Sequence, residues 1–384
     1  KKKRIGNQQI MTNHQWKRID ELSEEDYLVY PKFNAEDIFS ADKKITNIDV
    51  LDIYDKDNRL IEKTELTEGI EYIISRKSNF RNIKIPRYLP VDKSFLRILG
   101  FFIAEGCCSP KDSQIKFAFH IKEQSYIKEV KEYFNKFGLS CYEKIVGEKG
   151  NGVSLCFVSA PFCAIFDHLC GRVSTLKRLP SFGENKTFKT NWSRYQLLTI
   201  LSSYFEGDGY LNEDTGYIIA SVSRRLIQEI NIVMNAIGLF CIPTLRNNTK
   251  MPSFLNKYGN LTEEDRPKWN NTWLLRIAGS QKEALKKAFY EGNNICYDYR
   301  VAKNTFVQDG YAFYTKFKSA IPIDYKGKVY NFSVEEDHSY TANLACVRNC
   351  HYCEKCQGKS QELLMAMSTS NCLTNPKHKN FPFN

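Results

Sequence analysis

Two stretches, FLRILGFFIAEGC (95–107) and LLTILSSYFEGDGY (197–210), are apolar along most of their length and end in an acid followed by glycine. Both predict helices. An extended stretch follows each, QIKFAFHI in the first case and GYIIASV in the second. Then come an amphipathic helix, SYIKEVKEYFNKFGL or RRLIQEINIVMNAIGL, and its closing Gly-Leu. The same order recurs at an offset of about a hundred residues, too long for a solenoid repeat. The pattern predicts two copies of one small α/β unit. Outside them the texture changes. Residues 1–90 read as short strands and turns, with EDYLVYPKF, ITNIDVLDIYD and EYIISRK as strand candidates. Residues 315–349 return to short strands, and 350–384 are polar with no clear period.

Aligning the two openings puts Gly100 and Ala104 opposite Ser203 and Gly207. An i, i+4 spacing gives each helix a stripe of small residues on one face, which lets two backbones approach closely. The larger Leu99, Phe102 and Ile103, and Leu201, Tyr204 and Phe205, are expected to pack on the sheets behind. Each helix ends in Glu105-Gly106 or Asp208-Gly209, with glycine suited to a left-handed terminating position. An acid there opposes the negative end of the helix dipole. With the stripes facing each other, both carboxylates meet at one end and need a cation between them. Mg²⁺, which prefers oxygen ligands, is the expected metal, and phosphodiester cleavage is the chemistry such a site suits. No organic cofactor is expected.

Composition narrows the partners. The 384 residues suggest two or three domains. Net charge is +11, from 55 Lys and Arg against 44 acids, which favours a polyanion only weakly. No apolar run approaches the roughly 18 residues that cross a bilayer. Thirteen cysteines without a secretory signal imply reduced thiols and a cytoplasmic setting, with no membrane partner.

ILGFFIAEG (98–106) and LSSYFEGDG (201–209) resemble the paired signature motifs of the LAGLIDADG homing endonucleases. The resemblance implies an α+β fold of two pseudo-symmetric αββαββα halves, monomeric, forming a saddle over a long double-stranded DNA site. It implies Glu105 and Asp208 as metal-binding catalytic acids. TLKRLPSF (175–182) resembles that family's segment between the motifs and implies Lys177 as an active-site lysine; no second such lysine can be placed. Lys116, Lys122, Arg224 and Arg225 are candidate saddle-strand contacts. The first acid is Glu where Asp is commoner in the family.

The flanks resemble an intein. IMTNHQWKRIDELSEEDYLVYPKF (10–33) is similar to a segment whose His, here His14, polarises the N-terminal splice junction. KVYNFSVEEDHSYTANLACVRNC (328–350) is similar to the C-terminal splicing segments. There His338 would assist Asn349, Asn349 would cyclise, and Cys350 would be the extein nucleophile. Met11, Asn331 and Arg348 depart from the family's usual Thr, Asp and His. The chain starts close to the His14 segment, so the N-terminal nucleophile is expected to be absent and the intein truncated. The implied whole is a nuclease inserted in a mostly-β Hint (hedgehog/intein) domain, acting on its host extein in cis. The expected boundaries are 1–90 for the partial N-terminal splicing region, 91–190 and 191–312 for the nuclease halves, 313–349 for the C-terminal splicing region, and 350–384 for an extein stub. Cys350, Cys353 and Cys356 could hold zinc or an iron–sulfur cluster in the spliced host. Three alternatives stay open: a free-standing endonuclease, a cleavage-dead DNA-binding protein or maturase, and a cluster enzyme built on those cysteines.

Overall fold

A computed structural model describes residues 9–39, 45–54, 63–75, 83–147, 150–180, 190–212, 216–246, 272–277, 279–289, 306–320, 339–342 and 344–348. The N-terminal part comprises β1 (Gln9–Met11), β2 (Trp16–Arg18), β3 (Tyr27–Pro31), α1 (Ala35–Ile38), β4 (Asn47–Asp49), α2 (Val50–Tyr54), β5 (Lys63–Thr67), β6 (Ile70–Ser75), β7 (Ile83–Pro86) and β8 (Tyr88–Pro90). ITNIDVLDIYD, expected as a strand, instead divides into β4 and α2. The Asp49 carboxylate accepts the Leu51 N–H at 3.0 Å. Such local side-chain bonds compete with a strand ladder and turn the chain.

The centre holds the repeat. First come α3 (Lys93–Glu105), β9 (Gly106–Ser109), β10 (Gln114–His120), α4 (Gln124–Asn135), β11 (Tyr142–Val146), β12 (Gly152–Val158) and α5 (Ala160–Cys170). Then follow α6 (Arg194–Asp208), β13 (Gly209–Asn212), β14 (Gly216–Ser221), α7 (Arg224–Ala236), β15 (Cys241–Arg246), β16 (Thr272–Ile277) and α8 (Lys282–Phe289). Both runs read helix, two strands, helix, two strands, helix. Their sheets run β11-β12-β10-β9 and β15-β16-β14-β13, the same order in corresponding strands. Period-2 patterning sets the faces: Ile115, Phe117 and Phe119 of β10 are buried, while Lys116, Ala118 and His120 point outward. Asp92 caps α3 by accepting the Phe95 N–H at 2.8 Å, and Ser193 with Gln196 forms a capping box on α6.

The C-terminal part adds β17 (Phe306–Gln308), β18 (Ala312–Lys316), β19 (Ser339–Ala342) and β20 (Ala345–Arg348). It shares sheets with the N-terminal part. β3 pairs antiparallel with β18, and β1 pairs with both β2 and β20. Tyr30, Phe306, Phe313 and Ala345 from the two ends form a small core with Phe240 of the second repeat. Buried amides tie the ends to the repeats. Asn235 of α7 accepts the Phe33 N–H at 2.8 Å and donates to the Pro31 carbonyl at 3.0 Å. Gln196 of α6 makes the same two-way contact with Ile45. One continuous apolar core runs from Phe33 through both repeats to Phe289. Among the described residues no helix is long and apolar enough to cross a membrane.

Candidate functional site

The helix pair α3 and α6 makes the site. A Cβ added at Gly100 would lie 2.2 Å from the Ile200 carbonyl oxygen and 2.7 Å from Ser203 Cβ. One added at Gly207 would lie 2.7 Å from Ala104 Cβ and 3.4 Å from Glu105 Cγ. The four small residues aligned in the sequence are therefore the points of closest approach. Hydrogen-sized groups let the backbones touch, and the two acid-bearing ends arrive together. Phe102 and Phe205 turn the other way, onto Phe117 of β10 and Tyr217 of β14.

The glycines after the acids serve a different purpose from the one expected. Gly106 (φ −100°, ψ 154°) and Gly209 (φ −79°, ψ 133°) are extended, not left-handed. Each begins the next strand at once, folding it hard against its own helix. A Cβ at Gly106 would sit 2.7 Å from Phe102 Cα, and one at Gly209 would sit 2.2 Å from the Phe205 carbonyl oxygen. Glycine is needed for room rather than for a positive φ.

Electrostatics mark the same place. Burial and then the Asp208 and Glu123 carboxylates push Glu105 up to about 8. Burial pushes Asp208 up to about 7, while the Lys177 ammonium pulls it back. Asp208 is exposed and Glu105 half-buried, so solvent screens Asp208 more and the push bears harder on Glu105. Two carboxylates that resist ionisation together suit a shared cation. Among the described residues no group of three or more His, Cys, Asp or Glu could hold a metal. A site of two carboxylates fits Mg²⁺ or a similar ion, which commonly takes one or two protein carboxylates and leaves its other positions to water and phosphate.

Lys177 is buried, at 3% exposure. Its Nζ donates to the Phe102 carbonyl at 2.6 Å, in the last turn of α3, and lies 3.5 Å from the Phe102 ring centroid. Burial lowers its pKa to about 8, against the pull of nearby thiols and Asp208. Gly171 (φ +78°) lets the 174–177 turn fold back onto α5, where a Cβ would meet the Leu176 carbonyl at 2.0 Å. The Lys177 carbonyl accepts the Ser223 hydroxyl at 2.6 Å, joining this segment to the start of α7.

Other expected contacts are placed differently. Lys116 is exposed on the outer face of β10, and Lys122 is exposed just after it. Arg224 and Arg225 are not on a strand. They open α7, where Arg224 lies over Trp273 and Arg225 binds Glu229 at 2.7 Å. Ser223 caps that helix by accepting the Leu226 N–H, which ends the extended run earlier than its composition suggests. Three features went unread in the sequence: Arg97, Glu206 and the buried amides. Arg97 stands one turn ahead of Gly100, a charge at the head of the small stripe, and that signal was available.

In the flanking sheets His14 is exposed in the β1–β2 turn, with its Nε2 3.0 Å from Asn13 Nδ2. Arg348 pairs with Gln9, at the open end of that hairpin, and its guanidinium lies over Trp16. The Arg348 backbone thus lies across from the open end of this three-residue hairpin while its side chain reaches back toward the turn that carries His14. Cys346 is buried in β20. His338, Asn349, Cys350, Cys353, Cys356 and Asn331 lie outside the described residues.

No family model matches the chain. It is 24% identical over 293 residues to an uncharacterized protein of Methanocaldococcus jannaschii, covering 70% of this chain and 30% of that protein. It is 21% identical over 308 residues to a DNA polymerase of Thermococcus kodakarensis, covering 73% of this chain and 17% of the polymerase. A match to the ATP-dependent DNA helicase Hel308 of the same organism has 23% identity over 271 residues, 68% of this chain and 22% of the helicase. The chain thus spans a minor share of each relative's length. Among solved structures it is similar to the homing endonuclease I-DmoI in complex with DNA and Mn, with TM-score 0.35 and 10% identity over 53% of this chain and 99% of that one. It is also similar to the N-terminal LAGLIDADG domain of DUF199/WhiA, with TM-score 0.33 and 10% identity over 53% of this chain and 84% of that one.

Proposed function

We propose that the chain is a divalent-metal-dependent DNA endonuclease whose two repeats straddle double-stranded DNA. The observation that carries this reading is the Gly207 contact. It brings Glu105 Cγ within 3.4 Å of the position a Cβ would take beside Asp208, so two reluctant acids share one helix-pair end. Glu105 and Asp208 would hold the cation against a scissile phosphate. When bound, the ion supplies charge to phosphate oxygens and lowers the pKa of a water. Lys177 keeps a positive charge behind Asp208 and holds the last turn of α3 through Phe102 O. The outward faces of the two sheets, which begin directly after the acids, are the surfaces available to the duplex. Hydrolysis adds water across one P–O bond of each strand, with no redox partner needed.

The test uses the full chain and supercoiled plasmid carrying a site selected from random duplex DNA. Wild type with Mg²⁺ should nick and then linearise it. Glu105→Gln and Asp208→Asn should bind the DNA and leave it uncut. Cleavage by both variants at wild-type rates would overturn the metal role. Binding without cleavage by the wild type would instead favour a DNA-binding protein that has lost catalysis.

We further infer that this nuclease is carried in an intein-like splicing unit with a host extein in cis. Support comes from the sheets shared by the two ends of the chain and from the matches to minor parts of a polymerase and a helicase, proteins of different activities that could each carry such an insert. In this reading Asn349 cyclises and Cys350 is the first extein residue. His14 sits exposed in the turn of the hairpin whose strand β1 pairs with β20. Asn349→Ala should block release of residues 350–384, read by mass spectrometry. Equal release from that variant would remove Asn cyclisation from the account.

A further inference from the structure

Arg97 of α3 reaches two other helices. Its Nε and Nη2 donate to Glu129 of α4 at 2.5 and 2.9 Å. Its Nη2 and Nη1 donate to Glu206 of α6 at 2.9 and 3.3 Å. The guanidinium also lies 5.1 Å from the Phe101 ring centroid. The pair with Glu206 is well shielded, with side-chain exposures of 13% and 7%. In the repeat alignment Arg97 stands opposite Ile200, and Glu206 stands opposite Ile103. Both isoleucines are buried. The ion pair is therefore built once, on one side of an otherwise matched helix pair.

Small-residue contacts at Gly100 and Gly207 let α3 and α6 approach, and Arg97 adds a directional tie between the same two helices. A slip of one turn displaces a helix by about 5.4 Å. That would carry Glu105 away from Asp208. A planar guanidinium gripping two carboxylates adds directional hydrogen bonds to that close packing. Glu206 stands two residues before Asp208, so what holds Glu206 also holds the end of α6.

We propose that Arg97 is a positioning residue that, through Glu206, locks the register of the two helices and so keeps Glu105 and Asp208 level for a divalent ion. This rests on the endonuclease reading, because it presumes that the acids bind metal.

The test measures Mn²⁺ binding to the full chain without DNA, by loss of the free-ion EPR signal, beside thermal unfolding monitored by circular dichroism. Arg97→Met and Glu206→Gln should each weaken Mn²⁺ binding by about tenfold, the scale for groups that orient metal ligands. The double variant should be no weaker than either single one, since both remove one tie. Arg97→Lys keeps the charge and loses the fork, so it should recover part of the loss. It also serves if Arg97→Met fails to fold. Lower stability with wild-type Mn²⁺ affinity would make Arg97 merely structural and overturn the proposal, as would additive losses in the double variant. If wild type binds no Mn²⁺ above a Glu105→Gln/Asp208→Asn control, the endonuclease reading fails and takes this inference with it. If wild type binds and Arg97→Met binds equally well, only the inference falls.

Discussion

Gly100→Ala separates an interface reading of α3 from a generic one by sign. In a helix face that meets nothing, Ala in place of Gly gains about 1 kcal/mol, because glycine loses more backbone entropy. Here the added methyl would sit 2.2 Å from the Ile200 carbonyl oxygen, 2.7 Å from Ser203 Cβ and 3.0 Å from the Tyr204 nitrogen. Two of those three atoms belong to backbone and cannot rotate aside, so α6 must move. Overpacking of this kind costs about 1–3 kcal/mol, which reverses the propensity gain. The expected outcome is a loss of up to about 2 kcal/mol. Urea unfolding followed by tryptophan fluorescence is a suitable assay, because Trp192 is buried just ahead of α6. Gly310 is the control: nothing lies within 4 Å of the position its Cβ would take. Gly310→Ala should stay within about 0.5 kcal/mol of wild type, as surface changes do. A Gly100→Ala protein more stable than wild type by about 1 kcal/mol, the full gain of an open helix face, would refute close contact of the two helices.

Two further predictions concern charge. The raised carboxyls of Glu105 and Asp208, at about 8 and 7, bind protons in the folded state that the unfolded chain has released. Below about pH 4 they cost nothing; as pH climbs through their folded values the metal-free protein should lose stability. Added Mg²⁺ should thus raise the unfolding midpoint far more at pH 8.5 than at pH 5, and equal shifts at both would argue against ion binding by this pair. For Lys177 the folded pKa of about 8 lies below the ordinary lysine value. Its burial penalty is full below that pH and fades as pH rises toward the unfolded value near 10.4. Lys177→Met should lack the stability gain that wild type shows over that window, and should cleave about a hundredfold more slowly. Matching pH slopes would mean the ammonium is better solvated than its position implies.

The helix pairing at the candidate site was legible because it is written in local spacing. Small residues at i, i+4 and an acid closing each helix need no tertiary information, and their repetition supplied the pairing. The reason for Gly106 and Gly209 was not legible. Only the folded chain shows that the next strand turns so tightly that a Cβ would meet Phe102 or Phe205. Composition also misplaced two elements for a common cause: short side chains capped a helix where a strand was expected. Asp49 does this for α2 and Ser223 for α7. The β character of the flanks was readable from β-branched and aromatic runs, but three candidate strands stood for the eight short ones described between Gln9 and Pro90. Their register was not readable, and it is what joins β1 to β20 and β3 to β18.

The buried amides connect these levels. Asn235 and Gln196 each satisfy a backbone N–H and a carbonyl of the N-terminal part, using helices α7 and α6 that also build the repeats. Truncating either would leave two backbone groups without a partner, each costing about 1–3 kcal/mol. Asn235 of α7 holds the end of β3, which pairs with β18, while Gln196 holds Ile45, just ahead of β4, on the same helix α6 that ends at Asp208. Two repeats hung on a flexible tether would need no such bonds. Their presence means that whatever the flanking sheets do, they do it in a fixed position relative to the two acids, and a change that loosens the flank at Ile45 will be felt at the end of α6.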